Sequence, residues 1–563
     1  MLKKKRVIAS LLVVIMLMSA CGQNNTPAGD DDKVTQGTIE STANSETAAE
    51  DSYFNETGYP IVNEEITLKV LTKATVSEHS WDDMADAPGW KYISELTGIK
   101  FEFETYTEQE LATKIPLIMS DPDNMPDIFW QCGVGENYAE QGLILELDDY
   151  IEKYGENIKA CWASNDAYQG WATYTDGHVY TLPAYNDTGV VELRNYIVNT
   201  RWMENCGIES MPTNLEEFKE MLIKFRDMDA NGNGDPNDEI PLDGDYSNFV
   251  KYVEESTGMI SSYPRVGVMY SHDYGSTEAY PKFTDERYRY TVEYLADLYA
   301  EGLMAQDIVT ATTAEKNDRK GHDRVGVFQY LYASKPSDSF NPDEWAILPF
   351  MTSEYMPEVP EYAIVAPSFQ TGMVSVSAFT EYPEVCVRLI DYFFSLEGSF
   401  LSHPAAGFDQ YDFTGADISP EVLEIAEKAF NGEADFNIAL AEMIGVYGGL
   451  WRAQLSEYRI PETEYASNLD KSINEMRAAY DYDDVWIGFF NNLKFTPEET
   501  EIIGLYKTDL DGYVKETLGL WLTGAEELTD EAWEEYLAQC EALHLDELTP
   551  IYQAALNRWY GVE

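Results

Sequence analysis

The sequence predicts an α/β protein with two or more lobes. After an N-terminal segment of low complexity, about 500 residues remain, which exceeds the size of one typical core. The chain is 44% apolar and 13% aromatic, so it can fill large cores. Short apolar segments alternate with helical patterns between residues 66 and 130. This alternation favours a mostly parallel sheet with helices on both faces.

The first 21 residues indicate export from the cell. Residues 3–6 are cationic, residues 7–18 form an apolar run broken only by Ser10, and Cys21 follows two small residues. This is the order of a secretory signal, and the apolar run is shorter than the ~20 residues that span a bilayer. A Cys at this position resembles a bacterial lipoprotein box, which implies a signal peptide over 1–20 and lipid attachment at Cys21. An ordinary secretory signal with an unrelated Cys is the alternative.

Residues 21–60 have the composition of a tether. Ser, Thr, Asn, Asp, Glu, Ala and Gly dominate up to residue 52, and large apolar residues are nearly missing. Such a segment buries too little surface to offset its ordering entropy, and it behaves as a flexible spacer. No later stretch has the length and apolarity of a transmembrane helix, so we expect membrane attachment through the lipid alone.

Charge and cysteine usage exclude several classes of protein. Asp plus Glu number 101 against 37 Lys plus Arg, for a net charge of −64. This field repels nucleic acid and anionic surfaces. The remaining cysteines have no CxxC spacing, which argues against both a disulfide framework and a zinc site. We expect them to be small buried apolar residues; they are Cys132, Cys161, Cys206, Cys386 and Cys540.

The first half of the folded region gives the clearest element pattern. Residues 66–71 alternate as a strand, residues 90–98 form a helical pattern that ends in Gly98, and residues 99–105 alternate as a second strand. A helix over 108–119 and a short apolar strand over 126–130 follow.

Further along, the helix signals become stronger than the strand signals. Residues 191–200 are an apolar strand, and Thr213 with Glu216 fits a capping box at the start of a helix. The C-terminal third is helical in pattern, and Thr496 precedes a first-turn proline and a capping-box Glu499.

One acidic loop carries the sharpest chemical motif in the chain. Oxygen-bearing side chains recur at positions 1, 3, 5, 7, 9 and 12 from Asp227, and Gly232 stands at position 6. An EF-hand-type calcium loop needs this spacing because alternate oxygens converge on one hard cation around a sharp turn. Glu239 follows the last position, and the next segment is extended rather than helical, so only half an EF-hand is expected. A polar turn without an ion is the alternative.

Several segments in order resemble the extracellular solute-binding lipoproteins of ABC importers, and within them the saccharide-binding family 1 group that includes alginate-binding proteins. The matching segments are 125–128, 199–203, 229–242, 382–384, 388–392, 522–524 and 551–555. The resemblance implies a two-lobed periplasmic-binding-protein-like fold of type II, with a hinge of crossing segments and a helix-rich C-terminal region.

The resemblance also implies a division of the chain and a metal site. Lobe 1 would comprise 61–187 with about 365–430, and lobe 2 would comprise 188–364 with about 431–563, including the loop 227–239. A structural calcium would be held by the family's ligand pattern, with Asp227 in or out left open; the implied ligands are Asp229, Asn231, Asn233, the carbonyl of Asp235, Asp238 and Glu239.

Ligand-binding residues are expected at the carboxyl ends of strands, where open α/β lobes meet their ligands. Aromatic rings can cover the apolar faces of sugars, and polar side chains can bond the hydroxyl groups. The chain holds 12 Trp and 39 Tyr, more than its core requires. The residues predicted to bind ligand are Trp81, Asp127, Trp130, Tyr185, Arg194 and Trp345.

The favoured function is therefore a non-enzymatic receptor. It would be a lipid-anchored monomer on the extracytoplasmic face that captures an oligosaccharide and delivers it to the transmembrane permease subunits of an ABC importer. An extracellular glycoside hydrolase is the alternative, since 101 acidic residues leave room for the carboxylate pair such enzymes need. A carbohydrate-binding surface lipoprotein is a third possibility, although the sequence shows no repeats.

Overall fold

Two β-sheets, each with its own hydrophobic core, organise the folded chain in the computed structural model. The residues that the structure describes are 52–73, 79–165, 167–185, 196–259, 267, 269–329, 340–359, 362–365, 369–402, 412–430, 436–445, 449–451, 454–455, 458, 467–478, 481–487 and 493–562. The predicted signal peptide, Cys21 and the predicted tether up to residue 51 lie outside them.

The strands and helices follow one another in an order typical of α/β proteins. The strands are β1 Ile66–Lys73, β2 Ile99–Tyr106, β3 Ile128–Trp130, β4 Thr181–Tyr185, β5 Tyr196–Asn199, β6 Ile240–Leu242, β7 Tyr270–Ser271, β8 Tyr280–Pro281, β9 Val325–Gln329, β10 Trp345–Ile347, β11 Tyr362–Val365, β12 Phe369–Val376 and β13 Asp481–Ile487. The helices are α1 Pro88–Thr97, α2 Glu108–Met119, α3 Glu136–Ala139, α4 Asp148–Tyr154, α5 Glu156–Ala163, α6 Ala167–Ala172, α7 Thr200–Asn205, α8 Leu215–Asp227, α9 Tyr246–Glu255, α10 Glu286–Ala300, α11 Thr313–Gly321, α12 Pro383–Tyr392, α13 Leu396–Ser402, α14 Pro420–Phe430, α15 Phe436–Met443, α16 Asn468–Ala478, α17 Pro497–Leu522, α18 Asp530–Ala542 and α19 Leu545–Tyr560.

The first sheet has the strand order β2-β1-β3-β12-β4. β1 is parallel to β2 and β3, whereas β12 is antiparallel to both β3 and β4. Thr72 in β1, Trp130 in β3 and Val374 in β12 lie in register. The carboxyl ends of β1 and β3 therefore reach the same edge of this sheet, and the order matches the expected type II fold.

The second sheet has the order β10-β5-β9-β6. β6 and β9 are parallel, but β5 is antiparallel to both of its neighbours. Each sheet therefore contains one strand, β12 or β5, that runs against all the others, so the expected parallel arrangement is interrupted once in both sheets. Asn199 at the end of β5 pairs with Trp345 at the start of β10, and Ile240 pairs with Val325 at the starts of β6 and β9. The end of β5 and the starts of β6, β9 and β10 therefore lie side by side, along the same edge of the sheet.

Each sheet contributes to one large hydrophobic core and to one smaller cluster of buried residues. The first core is built around the buried side chains of Trp90, Trp130 and Tyr185, and the second around those of Trp202 and Phe225. Residues between 440 and 455 contribute to the first core, although the sequence placed everything after about 430 in the second lobe. Two separate cores are the physical basis of a two-lobed fold.

The start of the folded body lies earlier than residue 60, where the expected tether ends. Phe54 forms an antiparallel bridge with Val62, and the Ile61 and Val62 amides both donate to the carbonyl of Thr97. The Arg388 guanidinium donates to the carbonyls of Glu56 and Gly58. Residues 52–60 are therefore packed, because aromatic side chains and backbone hydrogen bonds hold them against the body.

Most local helix signals are confirmed. α1 ends at Gly98, which is left-handed with φ 80°, and the Thr496 side chain caps α17 with Glu499 in a capping box. The predicted box at Thr213 and Glu216 is displaced by one residue. Asn214 caps α8 by accepting from the Glu217 amide, because the Glu217 carboxylate turns back to Thr213 instead.

The cysteine prediction is confirmed within the described chain, where Cys132, Cys161, Cys206, Cys386 and Cys540 are all buried and none of them is in a disulfide bond. None of the helices described is long and apolar enough to cross a bilayer.

Gly326 offers a direct test of the second core. A Cβ atom at Gly326 in β9 would lie 2.6 Å from Phe225 Cδ2 and 2.8 Å from Trp202 Cε3. Both neighbours are rigid rings in the core, so Gly326→Ala should lower the free energy of unfolding by about 1–3 kcal/mol, measured by urea denaturation.

The matched control is Gly504→Ala in α17, where an added Cβ meets nothing within 4 Å. Alanine has the higher helix propensity, so this variant should gain up to about 1 kcal/mol. Equal effects of the two substitutions would contradict the packing described for β9.

Candidate functional site

A cavity of about 540 Å³ opens at the carboxyl edge of the first sheet. It lies where β1 and β3 end, beside α2 and a bend in β12. Its lining combines polar groups with apolar side chains; it includes Lys73, Glu108, Leu111, Ile115, Gln131, Cys132, Gly133, Asn137, Tyr138 and Met373. We call this the edge cavity. Its position is where ligands meet open α/β sheets.

Gln131 is held over the edge cavity in an unusual backbone conformation. Its φ is 56°, in the left-handed region that few non-glycine residues adopt. Its backbone N–H donates to the Met373 carbonyl at 2.7 Å, and this hydrogen bond joins the turn after β3 to β12. Strain of this kind persists only where surrounding structure imposes it, and it is concentrated at functional sites.

The charged and reactive groups of the edge cavity are already engaged. Lys73 Nζ lies 2.6 Å from Glu108 Oε2, and this hydrogen bond holds the pKa of Glu108 below its ordinary value. Burial raises the pKa of the Cys132 thiol to about 12. Glu108 is therefore not prepared as a general acid, and Cys132 is not prepared as a nucleophile. The cavity presents side-chain amide groups beside the Lys73–Glu108 ion pair.

A second cavity, of about 470 Å³, lies between α6 and the C-terminal helix α19. We call it the aromatic cavity because Trp171, Tyr174 and Trp559 line it, together with Thr173, Thr175, Lys494 and Arg558. Lys494 Nζ donates to the Gly170 carbonyl at 3.0 Å and lies 5.7 Å from the centroid of the Tyr174 ring.

Three of the residues predicted to bind ligand hold the first sheet and its surroundings together instead. Trp130 is buried and packs edge-to-face on Phe393. Tyr185 is fully buried, where its hydroxyl donates to the Tyr168 carbonyl. Asp127 accepts from the Lys69 amide at 2.8 Å and from the Thr380 hydroxyl at 2.6 Å, so its carboxylate joins β1 to the chain after β12.

The other three occupy different surroundings. Trp81 stacks on His79 at 3.6 Å, and its indole N–H donates to the Ala441 carbonyl. Trp345 is buried in β10 against Phe328. Arg194 lies outside the described residues. None of the five described residues contributes to the lining of either cavity.

The sequence did not single out Gln131, Tyr174 or Trp559, which do line the cavities. Gln131 directly follows the predicted strand 126–130, so its place at a strand end was readable. Tyr174 and Trp559 come from segments far apart in the sequence, and nothing local distinguishes them from core aromatics.

The acidic loop after α8 folds into a nest of oxygen atoms. Asn231 Oδ1 accepts from the Asn233 amide, and Asn233 Oδ1 accepts from the Asp235 amide. Asp229 Oδ2 accepts from the Gly234 amide at 3.0 Å. Asp238 approaches from the far end of the loop, where its Oδ1 accepts from the side-chain amides of Asn231 and Asn233.

Two buried carboxylate oxygens in this loop, Asp229 Oδ1 and Glu239 Oε2, have no hydrogen-bond partner among the described residues. Burial raises the pKa of Glu239, and the nearby carboxylates of Asp238 and Asp229 raise it further. A hard divalent cation would satisfy both oxygens and offset this repulsion, so the donor set fits calcium.

The same geometry bears on the role of Asp227. Its two carboxylate oxygens lie 2.7 and 3.1 Å from Arg226 Nε and Nη2. Glu239, in contrast, keeps a buried oxygen inside the loop. The geometry therefore favours a ligand set that begins at Asp229 and ends at Glu239.

One arginine connects the loop to the second sheet. Arg201 in α7 donates through Nη1 to the Asn231 carbonyl at 2.6 Å and through Nε to Glu344 Oε2 at 3.2 Å. Its Nη2 donates to Asp323, which immediately precedes Arg324 and β9. The loop is thereby fixed to the sheet edge where all four strands meet.

Two sheets with separate cores and a cavity at a carboxyl edge define a two-lobed solute-binding protein. Residues 80–395, more than half of the chain, match the model of the bacterial extracellular solute-binding protein family. The chain belongs to this family, as the sequence resemblance implied.

Individual relatives agree with this assignment. The fructooligosaccharide ABC transporter substrate-binding protein FusA of Streptococcus pneumoniae is 22% identical over 535 residues, covering 88% of this chain and 91% of that protein. The structure of FusA with kestose superposes with a TM-score of 0.67 at 18% identity, covering 88% of this chain and 99% of FusA. FusA has also been solved as an EF-hand mutant.

Two further structures share the fold. A solute-binding protein of Bifidobacterium longum infantis, described as binding HMO, gives a TM-score of 0.68 at 18% identity, covering 88% of this chain and 99% of that one. The alginate-binding protein AlgQ2, solved without calcium ion, gives 0.64 at 19% identity, covering 90% and 100%. Its presence confirms the expected likeness to the alginate-binding group.

The calcium site can be tested by thermal unfolding with and without a chelator. Calcium at a hundredfold excess over its Kd should stabilise the folded chain by about 2.7 kcal/mol, so chelation should lower the melting temperature. Glu239→Gln should abolish most of this difference because it removes a charged ligand from a buried position.

Asp227→Asn is the matched control, since Asp227 pairs with Arg226 outside the oxygen nest. It should keep the full calcium-dependent shift in melting temperature. A loss of the shift in Asp227→Asn but not in Glu239→Gln would mean that the ligand set starts two residues earlier.

Proposed function

We propose that this chain is the substrate-binding lipoprotein of an ABC importer and that it captures a neutral oligosaccharide without chemically changing it. Family membership carries the proposal, and the edge cavity, at the position where such folds bind ligands, supports it. The named relatives FusA and the Bifidobacterium protein are described with carbohydrate ligands, which supports the class of substrate. The permease subunits of the importer are the expected partner.

The two lobes that we propose follow the two cores. Lobe 1 comprises 61–187 with 365–430, to which the packing of residues 440–455 adds a further segment. Lobe 2 comprises 188–364 with the remainder of 431–563. The lobes would close on the ligand by a hinge motion, driven by tighter binding in the closed state.

The charges that line the cavities favour a neutral ligand. Lys73 is paired with Glu108 in the edge cavity. In the aromatic cavity Arg558 is paired with Glu499, with Nη1 3.0 Å from Oε1, and Lys494 donates to the Gly170 carbonyl at 3.0 Å. A ligand with several carboxylates would have to displace these partners in a chain with a net charge of −64, so alginate-like ligands are disfavoured.

Binding without catalysis is supported by the chemistry of the edge cavity. Among the described residues that line it, Glu108 is the one carboxylate. Glycoside hydrolases need two carboxyl groups, one of them with a raised pKa. The lowered pKa of Glu108 is the opposite of what a general acid requires. Release of reducing sugar by the purified protein would favour the hydrolase alternative.

We further propose that Cys21 carries a lipid and that calcium occupies the loop 229–239 as a structural ion. The signal at 1–20 and the tether that follows support the anchor. A Cys21→Ala protein should then move from the membrane fraction to the medium, whereas an unchanged distribution would contradict the anchor.

The proposed function can be tested by isothermal titration against a panel of di- to hexasaccharides. The panel would contain fructo-oligosaccharides, milk oligosaccharides, malto-oligosaccharides and alginate oligosaccharides. We expect at least one neutral series to bind with a micromolar or lower Kd, and alginate to bind more weakly. No binding anywhere in the panel would count against a neutral oligosaccharide ligand.

Gln131→Gly separates ligand binding from stability. Glycine adopts left-handed φ without strain. The free energy of unfolding of this variant should therefore be unchanged or higher than that of the natural chain, by up to about 1 kcal/mol. Its affinity for the bound oligosaccharide should nevertheless fall about tenfold, because the substitution removes the side-chain amide of a residue that lines the cavity.

His544→Gly is the matched control. His544 is also left-handed, with φ 67°, but lies in the turn before α19 and outside both cavities. The affinity of the His544→Gly variant for the oligosaccharide should be unchanged. An unchanged affinity in Gln131→Gly would place the ligand elsewhere.

A further inference from the structure

The aromatic cavity has a composition suited to a sugar ring. Trp171, Tyr174 and Trp559 supply aromatic surface, while Thr173 and Thr175 supply hydroxyl groups. None of the described residues that line it carries a carboxylate. Aromatic faces can pack on the apolar CH face of a sugar, and hydroxyl groups at the rim can bond its ring substituents.

The aromatic surface is rigidly supported from behind. The Trp171 ring lies 6.3 Å from the buried Tyr185 ring with 15° between the planes, and 5.1 Å from Tyr168. Tyr185 is fixed by hydrogen bonds to Trp162 and to the Tyr168 carbonyl. A ring held in this way loses little freedom when a ligand packs on it, which favours binding.

The aromatic cavity and the edge cavity are neighbours. In the sequence, Gly135 falls between Gly133 and Asn137, which both line the edge cavity. A Cβ atom at Gly135 would lie 3.6 Å from the hydroxyl of Tyr174, which lines the aromatic cavity. The Tyr174 hydroxyl is fixed 2.8 Å from Thr181 Oγ1. Tyr174 of the aromatic cavity therefore approaches the segment 133–137, two residues of which line the edge cavity.

We propose that the aromatic cavity is a stacking subsite for a distal sugar ring of the same neutral oligosaccharide that occupies the edge cavity. The inference rests on the proposed function and adds to it a requirement for chain length. A short ligand fills the edge cavity alone, whereas a longer one also packs on Trp559 and Trp171. The protein therefore selects oligosaccharides over mono- and disaccharides.

The test compares short and long members of whichever neutral series binds in the panel, by isothermal titration. Trp559→Leu keeps apolar bulk but removes the ring, and it should raise the Kd of the longest member about three- to tenfold while leaving the shortest member unchanged. Trp559→Phe should restore most of the affinity. Tyr560→Leu, on the neighbouring and exposed position of α19, should leave both unchanged.

Thr175→Trp provides a second variant that leaves the packing intact. Thr175 is an exposed residue at the rim, so a large side chain there should obstruct the aromatic cavity without disturbing a core. The long ligand should then bind no better than the short one. Melting temperatures would confirm that each variant is folded.

Failure of the subsite and failure of the proposed function give different results. If the natural chain binds no panel member, the proposed function fails. If it binds, but Trp559→Leu and Thr175→Trp change the Kd of short and long members equally or not at all, the subsite is overturned and the function stands.

Discussion

The guanidinium of Arg201 fixes the edge on which the second half of the molecule depends. It joins the carbonyl of Asn231 in the acidic loop to carboxylates beside the starts of β9 and β10. The same edge includes Asn199, which caps α7 through the Trp202 amide and ends β5. A planar group with several fixed donors is suited to hold three chain segments at once, which a lysine could not do.

A calcium ion in the acidic loop and Arg201 beside it would therefore both hold this loop against the second sheet. The loop leads directly into β6 at Ile240, and Arg324 donates to the Asp238 carbonyl at 3.2 Å just before β9. These are the amino ends of two parallel strands. Their carboxyl ends lie at the opposite edge, so a bound ion would stiffen the sheet without contacting a ligand there. This separation is consistent with a structural ion rather than a switch.

The parts of the fold that the sequence predicted are those set by local chemistry. The Thr496 capping box, Gly98 after α1 and the oxygen spacing of the loop each depend on residues within a few positions of one another. Lobe membership of residues 440–455 depends on long-range packing, and no local pattern reveals it. The cap at Asn214 was displaced by one residue because Asn and Thr compete for the same role and only the turn geometry decides.

The residues predicted to bind ligand also show that a local sequence pattern does not reveal long-range packing. Composition indicated an excess of aromatic residues, but the apolarity that suits a ring to a sugar also suits it to a core. Trp130 and Tyr185 were placed correctly at strand ends and are nevertheless buried. Tyr185 would still bear on binding at the proposed subsite, because its ring stacks behind that of Trp171. At the proposed subsite the half-buried Trp171 ring would meet the sugar and the buried Tyr185 ring would fix its orientation, so an aromatic residue can serve binding without touching the ligand.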